Sequence, residues 1–441
     1  MNTSIRTHDS VRDHPANDIC VVGLGYVGLP IATAFDQAGY DVIGFDIDPE
    51  KIERLTAGED PTGDVGAKRI ERAEITFTTD ETALRQVAYV IVTVPTPVDE
   101  LKNPNLTFVE DAGELIGRNI TPGTTVVLES TVYPGATREI LGPAVERTSG
   151  LSAGEEFSLG YSPERLNPGD ETNGFRDIVK IVSARTDAVL ADLAELYESV
   201  VDAGVHRAPS IEVAEAAKCI ENIQRDLNIA LVNELAITCN NLGIDTHAVL
   251  EAAGTKWNFH EYAPGLVGGH CIPVDPFYII YESKRNGFSP ELIQQARKIN
   301  DHMPIHVAKE TLKALNDCGK VLSEATVLVL GLAYKPNVGD VRTSAVERTI
   351  RKLEEYGVEV IGYDPLAEID AARAEFGIPI QAELQFDEAD CVLLATPHDE
   401  FRNIEFITVT TEMASNPLLV DVMGVLDSEQ YTDSTLAYRR I

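Results

Sequence analysis

The sequence predicts an α/β protein with two Rossmann-like, doubly wound domains joined by a long central helix. Three observations predict it. A strand, glycine turn, helix and strand occupy Asp18–Asp48, a similar pattern recurs at Ala325–Pro365, and one long helical stretch, Ser210–Ile244, lies between them. Short buried strands alternating with helical segments are the mark of a parallel sheet covered on both faces. A chain of 441 residues suits two or three domains, and 44% hydrophobic residues suffice for several cores.

The first unit reads "DICVVGLGYVGLPIATAFDQAGYDVIGFDID". Ile19–Val22 is a short buried run, and Gly23, Gly25 and Gly28 form G-x-G-x-x-G. A helix should run to about Ala38, where Gly39 stops it, and Val42–Asp46 is the second strand. A bare G-x-G-x-x-G is a weak sign. Here a strand precedes it, a helix follows, and Asp46 stands eighteen residues after Gly28, near the place of a ribose-binding acid. The glycines let the backbone approach a pyrophosphate at the helix N-terminus, whose dipole favours the anion. A carboxylate accepts from a ribose 2′-hydroxyl and repels a 2′-phosphate, so Asp46 favours NAD over NADP.

Further strands are expected in Val87–Pro97, Thr124–Gly135, Phe157–Gly169 and Asp177–Ala184. Thr96, Thr131 and Glu164 lie at carboxyl ends of such strands, where open α/β sheets bind ligands. Each alone is an ordinary loop residue; three at one sheet edge point to a site. In the central helix, Val213, Ala217, Ile220, Ile223, Leu227 and Leu231 recur at spacings of three and four, which predicts one broad buried face. Lys218, Asn222 and Arg225 share another stripe, which on spacing alone reads as a wet surface. A helix this long is also a natural subunit interface. In the last third the glycine turn carries Lys335 and Arg342, and cations at a second switch point suit a phosphate-bearing ligand.

Seventy-one acidic residues against 36 basic ones give a net charge of −35. A solvated shell suited to a salt-rich cytoplasm, and hence a halophilic source, explains this better than an acidic surface for a basic partner. No basic stripe exists to replace counterions, which disfavours nucleic acid. No apolar run reaches the length of a membrane span, and the start lacks a secretory h-region, so the expected location is the cytoplasm. None of the six cysteines forms C-x-x-C, so neither a metal site nor a redox pair is expected.

Cys271 stands apart in "GLVGGHCIPVDPFY". Gly268 and Gly269 let backbone and ligand come close, Asp275 can hold a basic partner, and Lys218 can steady a thiolate or an oxyanion. A cysteine beside NAD has a specific use. It attacks an aldehyde to give a thiohemiacetal that loses hydride, leaving a thioester to be hydrolysed. The alternative is an inert thiol buried in a glycine bend.

From about Ile19 onward the chain resembles the UDP-sugar 6-dehydrogenases of the UDP-glucose/GDP-mannose dehydrogenase family. "GLGYVGLP", "TVPTP", "ESTVYPG", "SPERLNPG", "EAAKCIEN", "GGHCIPVDP" and "GLAYKPNVGDVRTS" occur in family order. The resemblance implies that Tyr26, Val27, Asp46, Lys51, Thr96 and Thr131 bind NAD, with Arg342 reaching back to it. It places Arg165, Leu166, Lys218, Asn222, Arg225, Gly268, Tyr334 and Lys335 on the UDP-sugar. It makes Cys271 the nucleophile, with Lys218, Asn222 and Asp275 settling alkoxide and oxyanion charge and Glu164 and Thr131 handling the hydrolytic water. It further implies a homodimer through the central helix. The division expected is a disordered tail over 1–17, an NAD-binding domain over 18–205, a helical dimerising and catalytic region over 206–305, and a UDP-sugar domain over 306–441.

Met423 stands where the family usually has a basic residue, so one substrate contact is unmade or another cation makes it. UDP-glucose members typically carry serine, phenylalanine and lysine where His270, Ile272 and Val274 stand. With "GTKWNF", this looks like the branch acting on UDP-N-acetylhexosamines. UDP-glucose or GDP-mannose is the alternative substrate, and a catalytically silent dinucleotide-binding protein the alternative of another class.

Overall fold

The computed structural model describes residues 19–63, 65–165, 175–431 and 434–441. The expected tail over 1–17 and Leu166 lie outside the described residues. The chain divides into two compact units: Met1–Cys219 with Phe277–Glu282, and Ile220–Pro276 with Ser283–Ile441.

The first unit is built on an eight-stranded sheet. Its strands are β1 (Ile19–Val22), β2 (Val42–Phe45), β3 (Thr76–Thr78), β4 (Tyr89–Val92), β5 (Thr125–Leu128), β6 (Ser158–Tyr161), β7 (Lys180–Ala184) and β8 (Val205–Arg207). They lie in the order β3-β2-β1-β4-β5-β6-β7-β8. Every residue of β1 and β2 is buried, because helices cover both faces of a parallel sheet and leave no wet side for polar alternation. One pairing breaks the parallel rule: β7 runs antiparallel to β6, with Gly160 opposite Ala184 and Tyr161 opposite Ser183. β8 in turn runs parallel to β7, so the starts of both strands, rather than their ends, lie at the carboxyl edge of β6.

The second unit repeats the plan with five parallel strands. These are β9 (Thr326–Leu330), β10 (Glu359–Tyr363), β11 (Cys391–Leu394), β12 (Leu418–Asp421) and β13 (Ala437–Arg440), in the order β10-β9-β11-β12-β13. Alternation along β9 divides its core. Val327 and Val329 join one cluster with Met303, Val307 and Leu312 of the helix Glu291–Asp317. Leu328 and Leu330 join another with Phe401 and Phe406 on the opposite face. Two doubly wound sheets and a long central helix are thus the architecture, as the sequence predicts.

The central helix, Ile211–Leu242, corrects one expectation. The apolar stripe is largely outside: Ile220 is 52% and Leu231 56% exposed, and Val213, Leu235 and Leu242 are exposed with them. Of the six residues expected inside, Ile223 is buried, while Ala217 and Leu227 are half-buried. The buried face carries Ala214, Glu215, Lys218, Cys219, Asn222, Asp226, Ala230 and Asn233. Small and polar residues are inside because they are hydrogen-bonded there. Arg297 Nη1 lies 2.5 Å from Asp226 Oδ1, and Asn300 Nδ2 donates to the same oxygen at 2.7 Å. Breaking such a buried pair from one side costs about 3–5 kcal/mol. Asn233 Oδ1 accepts from Gly265 N at 2.8 Å, and its Nδ2 donates to Gly265 O at 3.1 Å, which fixes the start of the glycine-rich segment. Among the described residues no helix is long and apolar enough to cross a membrane.

Candidate active site

In the first unit the glycine turn fits a dinucleotide. Gly28 opens the helix Gly28–Gln37 so close to β1 that a Cβ there would lie 1.9 Å from Gly23 O and 2.4 Å from Thr93 Oγ1. A Cβ on Gly25 would meet nothing within 4 Å, which is the open side a pyrophosphate needs. Tyr26 is exposed and Val27 is the N-cap residue, so both flank that opening. Asp46, just past β2, is buried. Its Oδ2 accepts from Leu24 N at 2.8 Å and Lys51 Nζ at 2.7 Å, and its Oδ1 from Asp48 N at 3.0 Å. The acid therefore holds the turn itself. Asp46→Ala should weaken NAD binding by about 1–3 kcal/mol, the range for hydrogen bonds to a charged group. Asp46→Asn, which keeps an acceptor for Leu24 N, should lose less. Titration calorimetry with NAD checks both, and unchanged affinity in the alanine variant removes Asp46 as a ribose ligand.

At the carboxyl edge of the same sheet, Thr96 Oγ1 donates to Thr131 O at 2.7 Å, and Tyr278 OH donates to Thr96 O. The turn after Thr131 is pinned from the central helix. Glu215 accepts from Gly135 N at 2.5 Å, Thr137 N at 2.9 Å and Thr137 Oγ1 at 2.6 Å. Glu164 Oε1 accepts from Arg165 N at 2.6 Å, and Arg165 Nη1 donates to Val179 O at 2.5 Å. Behind Glu164 lie two charges that the sequence reading passed over. Lys180 Nζ sits 2.5 Å from Glu129 Oε2 and 3.7 Å from Glu164 Oε2, and Tyr197 OH donates to Glu129 Oε1. Burial pushes the Glu129 carboxyl up to about 7, against the pull of the Lys180 ammonium. Their only signal in the sequence is one charge set inside each of the runs "VVLESTV" and "IVKIVS".

In the second unit, Cys271 occupies the turn leading into the helix Asp275–Arg285 and is half-buried. Its carbonyl accepts from Val274 N at 3.0 Å and Asp275 N at 2.8 Å, so backbone bonds hold the turn. Asn222 Nδ2 donates to Asp275 Oδ2 at 2.5 Å in a buried setting. One helical turn before Asn222, Lys218 is also buried, at 7% exposure. The expected wet stripe is thus inside at Lys218 and Asn222, and only Arg225 faces solvent. Gly269, at φ +90°, brings the loop against Tyr334, where a Cβ would lie 2.7 Å from the ring. At Gly268 a Cβ would stand 3.0 Å from Thr343 O and Ala345 N.

The loop carrying Tyr334 and Lys335 closes on the same segment. Lys335 Nζ lies 5.8 Å from the Tyr334 ring centroid, and His270 Nε2 is 3.4 Å from Asp340 Oδ2. Arg342 grips Asp340 with Nε at 2.9 Å and Nη2 at 2.8 Å. Burial opposes ionisation of Asp340, yet the His270 and Arg342 bonds hold its carboxyl well below the usual range. Arg342 is thus found in a fork on Asp340. Met423 packs on Gly265, where a Cβ would lie 3.2 Å from Met423 Cγ. Past β10, Asp364 matches Asp46 in position. Its Oδ2 accepts from Leu332 N at 2.8 Å and Ala333 N at 3.0 Å, and its Oδ1 from Leu366 N and Ala367 N. His398 Nε2 completes the set at 3.0 Å from Oδ2, while its Nδ1 accepts from Asn337 N at 2.9 Å.

Known proteins resemble this chain along nearly its whole length. The UDP-glucose/GDP-mannose dehydrogenase family matches in three parts: its NAD binding domain over residues 17–201, its central domain over 212–302 and its UDP binding domain over 328–428. Protein CapL of Staphylococcus aureus is 44% identical over 96% of this chain and 99% of its own length. A UDP-N-acetyl-D-glucosamine 6-dehydrogenase of Pseudomonas aeruginosa is also 44% identical, over 93% of this chain and 98% of its own. The solved UDP-D-ManNAc dehydrogenase of Pyrococcus horikoshii superposes with a TM-score of 0.85 at 28% identity, covering 96% of this chain and 99% of that one. With a glycine turn fitted to NAD, a cysteine turn bound to the Tyr334 loop, and this similarity along nearly its whole length, the chain belongs to the UDP-glucose/GDP-mannose dehydrogenase family.

Proposed function

We propose that this protein is a UDP-N-acetylhexosamine 6-dehydrogenase, which oxidises the sugar C6 alcohol to a carboxylate in two NAD-dependent steps. The observation that carries the chemistry is the buried Asn222–Asp275 pair beside the Cys271 turn. A polar pair held dry next to a thiol is suited to settling charge on an oxygen bonded to the same carbon as the sulfur. Bound NAD supplies the hydride acceptor. Cys271 retains the sugar between the two oxidations, Lys218, Asn222 and Asp275 stabilise alkoxide and oxyanion, and Glu164 and Thr131 orient the water that releases the acid. The sugar class is supported by the 44% identity to a UDP-N-acetyl-D-glucosamine 6-dehydrogenase. Free thiols fit a reducing compartment, which supports the cytoplasm as the location. Because the aldehyde stays on the enzyme, two NADH should form per sugar consumed. Complete conversion with one NADH and free aldehyde overturns the mechanism, and no NADH with any nucleotide sugar favours a silent dinucleotide-binding protein.

We also infer a homodimer through the central helix. Val213, Ile220, Leu231, Leu235 and Leu242 fall on one face and are exposed in the single chain. A self-complementary apolar stripe of this length is suited to a two-fold contact. Replacing Ile220 and Leu231 together by glutamate should shift the protein to monomer in sedimentation velocity. An unchanged sedimentation coefficient moves the interface elsewhere.

A further inference from the structure

We propose that Glu129 and Lys180 are positioning residues that set how strongly Glu164 acts as a base when the acid product is released. This rests on the dehydrogenase reading above. The cluster is built from four elements: Glu129 follows β5, Glu164 follows β6, Lys180 opens β7, and Tyr197 lies on the helix Asp187–Glu198. The antiparallel register, Gly160 opposite Ala184 and Tyr161 opposite Ser183, sets Glu164 opposite Lys180 when continued. No parallel strand could bring its first residue to this edge. Glu129 is fully buried and Lys180 nearly so, while Glu164 keeps 13% of its side chain open. The Lys180 ammonium also lies 5.3 and 5.4 Å from the ring centroids of Phe175 and Tyr197.

A purely structural ion pair needs one carboxylate, and Glu129 meets that need at 2.5 Å. The second carboxylate, Glu164, stands 3.7 Å from the same ammonium and, unlike Glu129, is not wholly buried. The charge it feels from Lys180 therefore depends on Glu129. The charged and titratable groups facing Glu129 are Lys180, Glu164 and Tyr197. When Glu129 holds a proton, the ammonium is unbalanced, stabilises the Glu164 carboxylate and makes it a weak base. When Glu129 is ionised, the ammonium is neutralised and Glu164 is a stronger base. Burial places that change near pH 7.

The step affected is hydrolysis of the thioester between Cys271 Sγ and the sugar C6 acyl carbon. Glu164 takes a proton from water as the water oxygen bonds to the acyl carbon. The carbonyl then re-forms, the carbon–sulfur bond breaks, and the sulfur leaves with its electron pair as thiolate. No oxidant or reductant is consumed.

The test is the single-turnover rate of acyl-enzyme hydrolysis against pH, followed by mass spectrometry of the Cys271 adduct in the full chain. The parent rate should rise through a midpoint near 7. Glu129→Gln keeps the volume and an acceptor for the Tyr197 hydroxyl, so it should fold and bind NAD normally. It should lose the rise and run about tenfold slower than the parent at pH 8, a modest share of what general base catalysis supplies. The double variant Glu129→Gln/Lys180→Gln removes both charges and should regain most of that loss, whereas damage to a structural pair makes the double variant no better. A Glu129→Gln variant with the parent profile, or a double variant as slow as the single, overturns the proposal. Should the variants fail to fold, infrared titration of the parent decides. A carboxylic-acid carbonyl band lost with a midpoint near 7, and kept in Glu215→Gln, which removes the other carboxyl that burial pushes up to about 7, supports the proposal, and its absence overturns it. A parent that yields one NADH per sugar and no Cys271 adduct removes the dehydrogenase mechanism itself. Two NADH with an unaltered Glu129→Gln profile removes only this inference.

Discussion

On the proposed mechanism, Cys271→Ala should abolish formation of the sugar acid, with a loss of at least about a thousandfold, while UDP-sugar and NAD should still bind. The size follows from the role proposed for the thiol. Without it the first oxidation ends at an aldehyde that nothing retains, and the second oxidation has no covalent adduct to act on. The expectation of intact binding follows from the local structure. The turn is held by the Cys271 carbonyl, which accepts from Val274 N and Asp275 N, and by Gly269 N, which donates to Thr343 O at 3.2 Å. None of these bonds uses the sulfur. Acid formation is read by mass spectrometry and binding by calorimetry. An alanine variant with turnover near the parent's moves the chemistry to another residue, and one that binds neither ligand reports a collapsed loop instead.

The second large effect is in the choice of sugar. At least one UDP-N-acetylhexosamine should be used with a kcat/KM about a hundredfold or more above that of UDP-glucose. A 2-acetamido group brings an amide donor and a carbonyl acceptor. A site that pairs with them is left with unsatisfied polar groups when the sugar offers only a hydroxyl. His270, next to Cys271 and 3.4 Å from Asp340, is the polar one of the three residues, with Ile272 and Val274, that depart from the UDP-glucose pattern around the proposed nucleophile. Trp257, in the other part of the branch signal, is 92% exposed in the single chain, so the expectation rests on His270. Side-by-side kinetics at matched ionic strength test it, and equal or better turnover of UDP-glucose reassigns the substrate.

Most of the fold is legible in the sequence because its elements are local. Ile19–Val22, the three glycines, the stop at Gly39 and the acid at Asp46 each act within a few residues of their own positions. The central helix shows where such reading ends. A period of three and four identifies an apolar stripe but not what covers it. Ile220 and Leu231 therefore read as core although both face outward, and Lys218 and Asn222 read as wet although both are buried. At Asn222 the burial goes with a hydrogen bond to a residue remote in sequence, Asp275, 53 positions later. Lys180 was missed for a related reason. A lone lysine in an apolar run is visible, but its partner depends on one strand running backwards, and strand direction is settled by the whole sheet. Arg342 carries its neighbour Asp340 only two residues away, yet the fork between them depends on a tight turn that the motif does not spell out.

The paired acids Asp46 and Asp364 show how a repeated architecture divides its labour. A carboxylate offers about four lone-pair positions. Asp46 meets three described donors, Leu24 N, Asp48 N and Lys51 Nζ, and so retains capacity for a sugar hydroxyl. Asp364 takes four backbone N–H groups and the ring of His398, and its capacity is used up. The acid expected to read a ligand in one copy of the βαβ unit has become internal masonry in the other. On the second unit this acid has no acceptor position left for a ribose hydroxyl. Among the described residues, then, only the first of the two units keeps an open acid at this position, although the topology was built twice.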